Sequence, residues 1–277
     1  MDNYDYMMTE FSDKRTVNWF LMSSPLPTLI TVGSYLLIVY WGQHWMKSRP
    51  AMELKSIIIA YNFCLVLLST YIFWEFFISA WVCTGFSLTC ESVNYSDDPL
   101  PRRLAGACWW FFFSKLVELL DTVFFILRKK NNQISFLHVY HHSTMPLLWW
   151  VGVRFVPGGE AYFSASINCF IHVLMYTYYL LSAMGPSMQK YLWWKKYMTT
   201  LQLVQFWAIL FHTFNAIRVD CGFPNGYNYA LIIYDLSHIF LFSHFYYQTY
   251  YTKKRVQSKS AQNGVVQNGI KHHTKEE

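Results

Sequence analysis

Residues 57–83 read IIIAYNFCLVLLSTYIFWEFFISAWVC, 27 residues with a single charged side chain, Glu75. About 20 apolar residues in a helix cross a hydrocarbon core, so this run is long enough to tilt or to extend into the interface. Six further segments have the length to cross: Thr28–Met46, Leu104–Leu127, Phe136–Val153, Ala161–Met184, Tyr197–Ile217 and Tyr229–Tyr250. Phe136–Val153 is the weakest of them, because three histidines stand near its start. In lipid each backbone polar group must be satisfied within the structure, which a long apolar run achieves as a helix. The sequence therefore predicts an all-α, polytopic membrane protein, with seven transmembrane helices in residues 1–251.

The composition agrees. Apolar residues make up 54% of the 277-residue chain and charged residues 14%, about half the charged share of an ordinary soluble domain. One core of this size could not hide so much apolar surface; a bilayer can. The net charge of +6 does not indicate nucleic acid, since the basic residues stand at the ends of apolar segments and in the tail instead of forming a stripe. The first 18 residues are polar. The run that begins near Leu21 has no basic leader and no small-residue cleavage site, and reads as an anchor rather than a removed signal peptide.

Lys and Arg orient the segments. One set of connections and the C-terminal tail hold 15 of them, among them Lys47, Arg49, Arg128, Lys129, Lys130, Lys190, Lys195 and Lys196; the other set holds six, and Lys115 lies inside a span. The richer side faces the cytosol, which puts the C-terminus there and the N-terminus in the lumen. The single N-x-S/T sequon, at Asn94, then falls in a luminal connection and is a candidate glycosylation site. Cys90 and Cys221 fall in two luminal connections where an oxidising compartment would let them pair, with Cys83 as an alternative partner. The six cysteines form no C-x-x-C, so no metal site is signalled. Residues 252–277 are polar, with Gln-Asn-Gly occurring twice, and are expected to be a disordered cytosolic tail.

Ionisable residues inside the spans are costly and mark functional sites. Lys115, Glu118, Asp121 and Thr122 follow i, i+3, i+6, i+7 and share a face of the third span; the structural alternative is a buried Lys115–Glu118 pair that locks helices together. His138, His141 and His142 follow i, i+3, i+4 near the cytosolic end of the fourth span. Three imidazoles within five residues are hard to explain as core histidines. Asn168, His172 and Tyr176 repeat at i+4 on the fifth span, and Gln202, Gln205, His212 and Asn215 form a polar stripe on the sixth, where interhelical hydrogen bonding is an equal reading. Asp235 and His238 on the last span read as structural, and Glu75 has no assigned role. Four helices thus offer polar groups to one interior with Leu, Ile, Phe, Trp and Tyr walls, a long apolar tunnel suited to a fatty acyl chain.

At these residues the sequence resembles the very-long-chain fatty-acid elongases, the 3-ketoacyl-CoA synthases of the ELO type. The resemblance runs from about Trp19 to Tyr251. It rests on Lys115-Leu-Val-Glu118-Leu-Leu-Asp121-Thr122, Leu137-His138-Val-Tyr-His141-His142, Asn168-Cys-Phe-Ile-His172-Val-Leu-Met175-Tyr176 and Thr200-Leu-Gln202-Leu-Val-Gln205-Phe206. Residues 126–133, ILRKKNNQ, look most like the animal branch that extends polyunsaturated and very long chains. Cys169 and Thr177 stand where the family often has serine, and the C-terminus lacks the two adjacent lysines that often retain such proteins.

The resemblance implies an enzyme of the endoplasmic reticulum membrane that joins an acyl-CoA to malonyl-CoA, without a cofactor or metal, through an acyl-enzyme. It implies His141 as nucleophile and His172 as the group acting on the malonyl unit, with His138, His142 and Asn168 orienting and stabilising. Lys115, Lys195, Lys196 and Arg128 would meet CoA phosphates, Glu118 and Asp121 would position Lys115 or the pantetheine arm, and Tyr176, Gln202 and Gln205 would contact substrate. Partners would be the two thioesters, membrane lipid and other enzymes of the elongation cycle, with further copies of the chain as another. Two rivals are a di-iron membrane desaturase or hydroxylase, which would need several paired-histidine boxes where this chain has one, and a non-enzymatic lipid transporter.

Overall fold

The computed structural model describes residues 3–82, 85, 87 and 89–252; Cys83 and residues 253–277 of the tail lie outside them. Among the described residues there is no strand. A short helix α1 (Asn3–Glu10) precedes the long helices α2 (Leu26–Trp45), α3 (Lys55–Phe76), α4 (Pro99–Val117), α5 (Leu120–Leu127), α6 (Phe136–Phe155), α7 (Ala161–Met184), α8 (Lys195–Val219) and α9 (Asn225–Tyr247). α3 runs on into a π-helical turn, Phe77–Val82. Each predicted apolar segment coincides with one of these helices, apart from the third.

The third segment is not one helix. It starts earlier, at Pro99 behind Asp98, and breaks at Glu118 and Leu119 between α4 and α5. No Gly or Pro stands there. The bonds Leu119 N–H to Leu116 O (3.3 Å) and Asp121 N–H to Glu118 O (3.1 Å) are the i→i−3 pattern of a tighter turn, which swings Glu118 inward.

Contacts close a ring. α3 packs on α4, α4 on α6, α6 on α9, α9 on α8, α8 on α7 and α7 back on α3, while α2 lies outside against α5 and α6. At Gly42 the approach of α2 to α5 is close enough that an added Cβ would stand 3.2 Å from Ile126 Cγ2. The outer surface is apolar: Leu37 and Trp41 of α2, Leu67 and Trp74 of α3, Phe211 of α8, and Ile233 and Phe240 of α9 are all exposed. Among the described residues, two helical stretches, Lys55–Val82 and Ala161–Met184, are long and apolar enough by length and composition to cross a membrane. A helix that is apolar on its outward face needs a partner other than water.

One end of the ring is stitched shut. Cys90 and Cys221 form a disulfide across 131 residues. Glu160 accepts from the Glu91 backbone N–H (2.6 Å), Tyr162 donates to Ser87 O (3.0 Å), and Asn215 donates to Thr89 O (2.8 Å). Gly159, at φ +52°, leaves no room for a Cβ, which would meet Val93 N at 2.9 Å. Part of the segment before α2 is buried as well: Asp13 and Arg15 pair at 2.6 Å, and the Arg154 guanidinium donates to the carbonyls of Met8, Val17 and Met22.

Candidate active site

The side chains around the break in α4–α5 form a knot with α7. Lys115 Nζ lies 2.9 Å from Glu118 Oε1 and donates to Asn168 Oδ1 at 3.0 Å. His172 Nδ1 stands 3.2 Å from the same Glu118 oxygen. All four residues are buried. Each charge has a hydrogen-bonded partner, as burial away from water requires. Lys115 Nζ also stands 3.4 Å from Nδ1 of His172; in the tautomer whose Nδ1 proton is donated to the Glu118 carboxylate, the lone pair of His172 is on Nε2. Asp121, one turn further, accepts from the buried Tyr176 hydroxyl at 2.9 Å.

Thr122 faces the other way. Its hydroxyl meets His138 Nε2 at 2.7 Å and the Tyr35 hydroxyl at 3.1 Å, joining α5 to α6 and α2. α6 begins at Ser135, whose hydroxyl caps the helix by accepting from His138 N–H at 3.2 Å. The three box histidines thus lie in its first two turns. Pro146, inside α6, has no N–H to donate to the carbonyl of His142 four residues earlier, just past the box.

His141 is placed differently from His172. Its ring packs near those of His142 (5.3 Å between centroids) and His238 (5.5 Å), and among the described residues no hydrogen bond to its ring nitrogens occurs. It is half-buried because it opens onto a cavity of about 200 Å³ inside the ring of helices. The cavity runs along α6 from His141 to Val156, about 22 Å at 1.5 Å per residue. Its walls are mostly apolar, with Phe111, Met145, Trp149, Phe206, Ile209 and Leu231. Asn168 also faces it, so one amide touches both the cavity and the Lys115 knot.

The other predicted residues are spread out. Gln205 lines the cavity, but Gln202 faces Met175 Sδ at 3.8 Å. His212 pairs with Glu160 at 3.1 Å at the stitched end. The sixth-segment stripe therefore serves several purposes. Lys195 and Lys196 are exposed at the start of α8, and Arg128 is half-buried just after α5, all at the end of the bundle where α6 begins. Asn94 is exposed. Glu75 forms an ion pair with Arg103 at 2.6 Å. Asp235 and His238, which the sequence analysis read as structural, are both buried, one lining the cavity and the other with its ring 5.5 Å from that of His141. The group Cys90, Glu160 and Cys221 converges as metal ligands would, but both sulfurs are spent in the disulfide.

Comparison with known proteins accounts for this architecture. Residues 20–258 match the model of the ELO family, described as GNS1/SUR4. The chain is 52% identical over 260 residues to very long chain fatty acid elongase 4 of Mus musculus, covering 94% of this chain and 83% of that protein. It is 46% identical to very long chain fatty acid elongase 7 of Rattus norvegicus, with 95% and 93% covered, and 45% identical to very long chain fatty acid elongase 2 of Mus musculus, with 93% and 90% covered. With the motifs in order along nearly its whole length, the chain belongs to the ELO family of membrane-bound fatty-acid elongation enzymes.

Proposed function

We propose that this chain condenses a long-chain acyl-CoA with malonyl-CoA through an acyl group carried on His141. The free ring of His141 at the mouth of an apolar cavity is the observation that carries this reading. A neutral imidazole is a nucleophile near pH 7, and His141 alone of the two central histidines combines an uncommitted ring with room for a chain. Its nitrogen attacks the thioester carbonyl, and CoA leaves as thiolate and takes up a proton. Malonyl-CoA then loses CO2, and its carbanion attacks the acyl-imidazole carbonyl. The products are the 3-ketoacyl-CoA, two carbons longer, and the restored ring.

His172, held by Glu118 and Lys115, is set to steer the malonyl unit through Nε2. Asn168 and the His138–Thr122 pair are placed to donate to the developing oxyanion. Lys195, Lys196 and Arg128 meet the CoA phosphates, helped by the partial positive charge at the N-terminus of α6. All seven long segments cross the membrane of the endoplasmic reticulum, with the stitched end and the N-terminus luminal and the C-terminus cytosolic. The Lys and Arg distribution, the disulfide between two connections at one end, and the exposed sequon favour this orientation.

The test is a microsomal assay with labelled malonyl-CoA and a panel of acyl-CoA primers, followed by mass spectrometry of enzyme stalled without malonyl-CoA. The expected result is a two-carbon extension and an acyl group on the peptide bearing His141. An acyl group on a cysteine would overturn the imidazole assignment.

A further inference from the structure

The hydroxyls that join α2, α5 and α6 leave little choice in the direction of the protons between them. Tyr35 on α2 and Thr122 on α5 are 3% and 0% exposed, and their hydroxyl oxygens lie 3.1 Å apart. Thr122 Oγ1 also lies 2.7 Å from His138 Nε2. Among the described residues no other hydrogen bond reaches either hydroxyl. Each has one proton to give. Were His138 to donate from Nε2, the proton of Tyr35 or that of Thr122 would be left buried without an acceptor, and buried polar groups are nearly always paired. One arrangement uses both protons: Tyr35 donates to Thr122, and Thr122 donates to Nε2.

We infer that Tyr35, on a helix outside the ring, is a positioning residue that holds His138 in its Nδ1–H tautomer through Thr122. The inference deepens the condensing reading above and rests on it. A neutral imidazole has one N–H and one lone pair. With the Nε2 lone pair occupied by the Thr122 proton, His138 has none left to take up an acyl group or a proton. Its own proton sits on Nδ1, which has no hydrogen-bond partner among the described residues. That N–H is the donor which the oxyanion role given to His138 calls for. The His138 ring is flanked by those of His142 (4.2 Å between centroids) and Phe125 (5.3 Å), and His142 lies beside His141 at 5.3 Å. The different tasks of the two box histidines, one donating and one carrying, thus begin at Tyr35. Without the Tyr35 hydroxyl, that of Thr122 is free to turn to a carbonyl of the preceding turn, as threonines on helices do, and Nε2 loses its donor.

The test combines nitrogen NMR of isotope-labelled histidine with kinetics, both on the full-length protein in detergent. The His138 signals are assigned by their loss in His138→Gln. Wild type should show a protonated Nδ1 and an unprotonated Nε2. Tyr35→Phe, which removes the hydroxyl alone, should give a mixture of the two tautomers and lower kcat for malonyl-CoA incorporation about tenfold, part of what a lost oxyanion donor costs, with KM for the primer close to wild type. Thr122→Val should mix the tautomers too, and Thr122→Ser, which keeps the hydroxyl, should hold the wild-type one. A proton on Nε2 in wild type would overturn the inference. So would a Tyr35→Phe protein in which the tautomer is unchanged, whatever its kcat, or one in which the tautomers mix and kcat does not fall. Should Tyr35→Phe fail to fold, the two Thr122 variants carry the comparison, and equal tautomers in both would overturn it. Failure of wild type to extend any primer would instead overturn the condensing reading, since the tautomer is read without substrate.

Discussion

The two central histidines are in opposite circumstances. His172 sits in a closed knot, its Nδ1 fixed on Glu118 and Lys115 and Asn168 completing the network. The His141 ring has ring neighbours but, among the described residues, no hydrogen bond, and His141 lines the cavity. A fixed imidazole keeps one tautomer and one direction; a free one can form a bond and swing with its cargo. Under the proposed mechanism the contrast becomes a division of labour, in which one ring carries the chain and the other stays still.

The sharpest challenge to that division is to remove each ring in turn. Both His141→Ala and His172→Ala are expected to reduce malonyl-CoA incorporation to background, but only His172→Ala should still accumulate the acyl adduct, read by mass spectrometry. An adduct in His141→Ala would reverse the roles. Glu118→Ala strikes the knot alone. It leaves Lys115 buried without its carboxylate, a loss of about 3–5 kcal/mol, and thermal unfolding in detergent should show it while the cavity's uptake of a fluorescent acyl probe in the surviving folded fraction is kept.

Smaller changes separate the two sides further. Gly159→Ala, at a positive φ with Val93 N at 2.9 Å from the new Cβ, should lower the unfolding temperature through the stitched end, by a stability loss of about 1–3 kcal/mol, without altering which histidine is acylated. Thr122→Val removes the partner of His138 and of Tyr35; a stability loss of about 1 kcal/mol is expected, with a fall in turnover and an unchanged adduct site. Ser135→Ala, which removes the cap of α6, should cost about 1 kcal/mol or less and move the box only slightly, measured as a modest rise in KM for the primer.

Much of this was legible in the sequence. Apolar run length gave the positions of the helices, because a segment facing lipid must be apolar for its whole length. The i, i+3, i+4 spacing put His138, His141 and His142 at one helix start. The break at Glu118 and Leu119 was not legible, since no Gly or Pro marks it; it goes with Glu118 turning toward Lys115 in the turn before it and toward His172, which lies on another helix far along the chain. The burial of Ser12, Asp13, Arg15 and Thr16 was hidden too, because a polar run looks exposed until its hydrogen-bond partners are known. The stripe Gln202, Gln205, His212 and Asn215 looked like one surface, yet over two turns or more a helix shows such residues to different neighbours. Asp235 read as structural for want of any sign in the sequence that a cavity lay beside it.

The strap of residues 8–22 has a consequence for how the molecule is made. It leaves the ribosome first, but the groups that hold it, Trp150 and Arg154, follow more than 120 residues later: Trp150 donates to Leu21 O at 2.8 Å and Arg154 to Met8, Val17 and Met22. The strap must wait, unpaired, until half the bundle has been threaded, and only then settle beneath α6. A segment made early is thus among the last to find its place, and a nascent protein halted before residue 150 would have no seat for it.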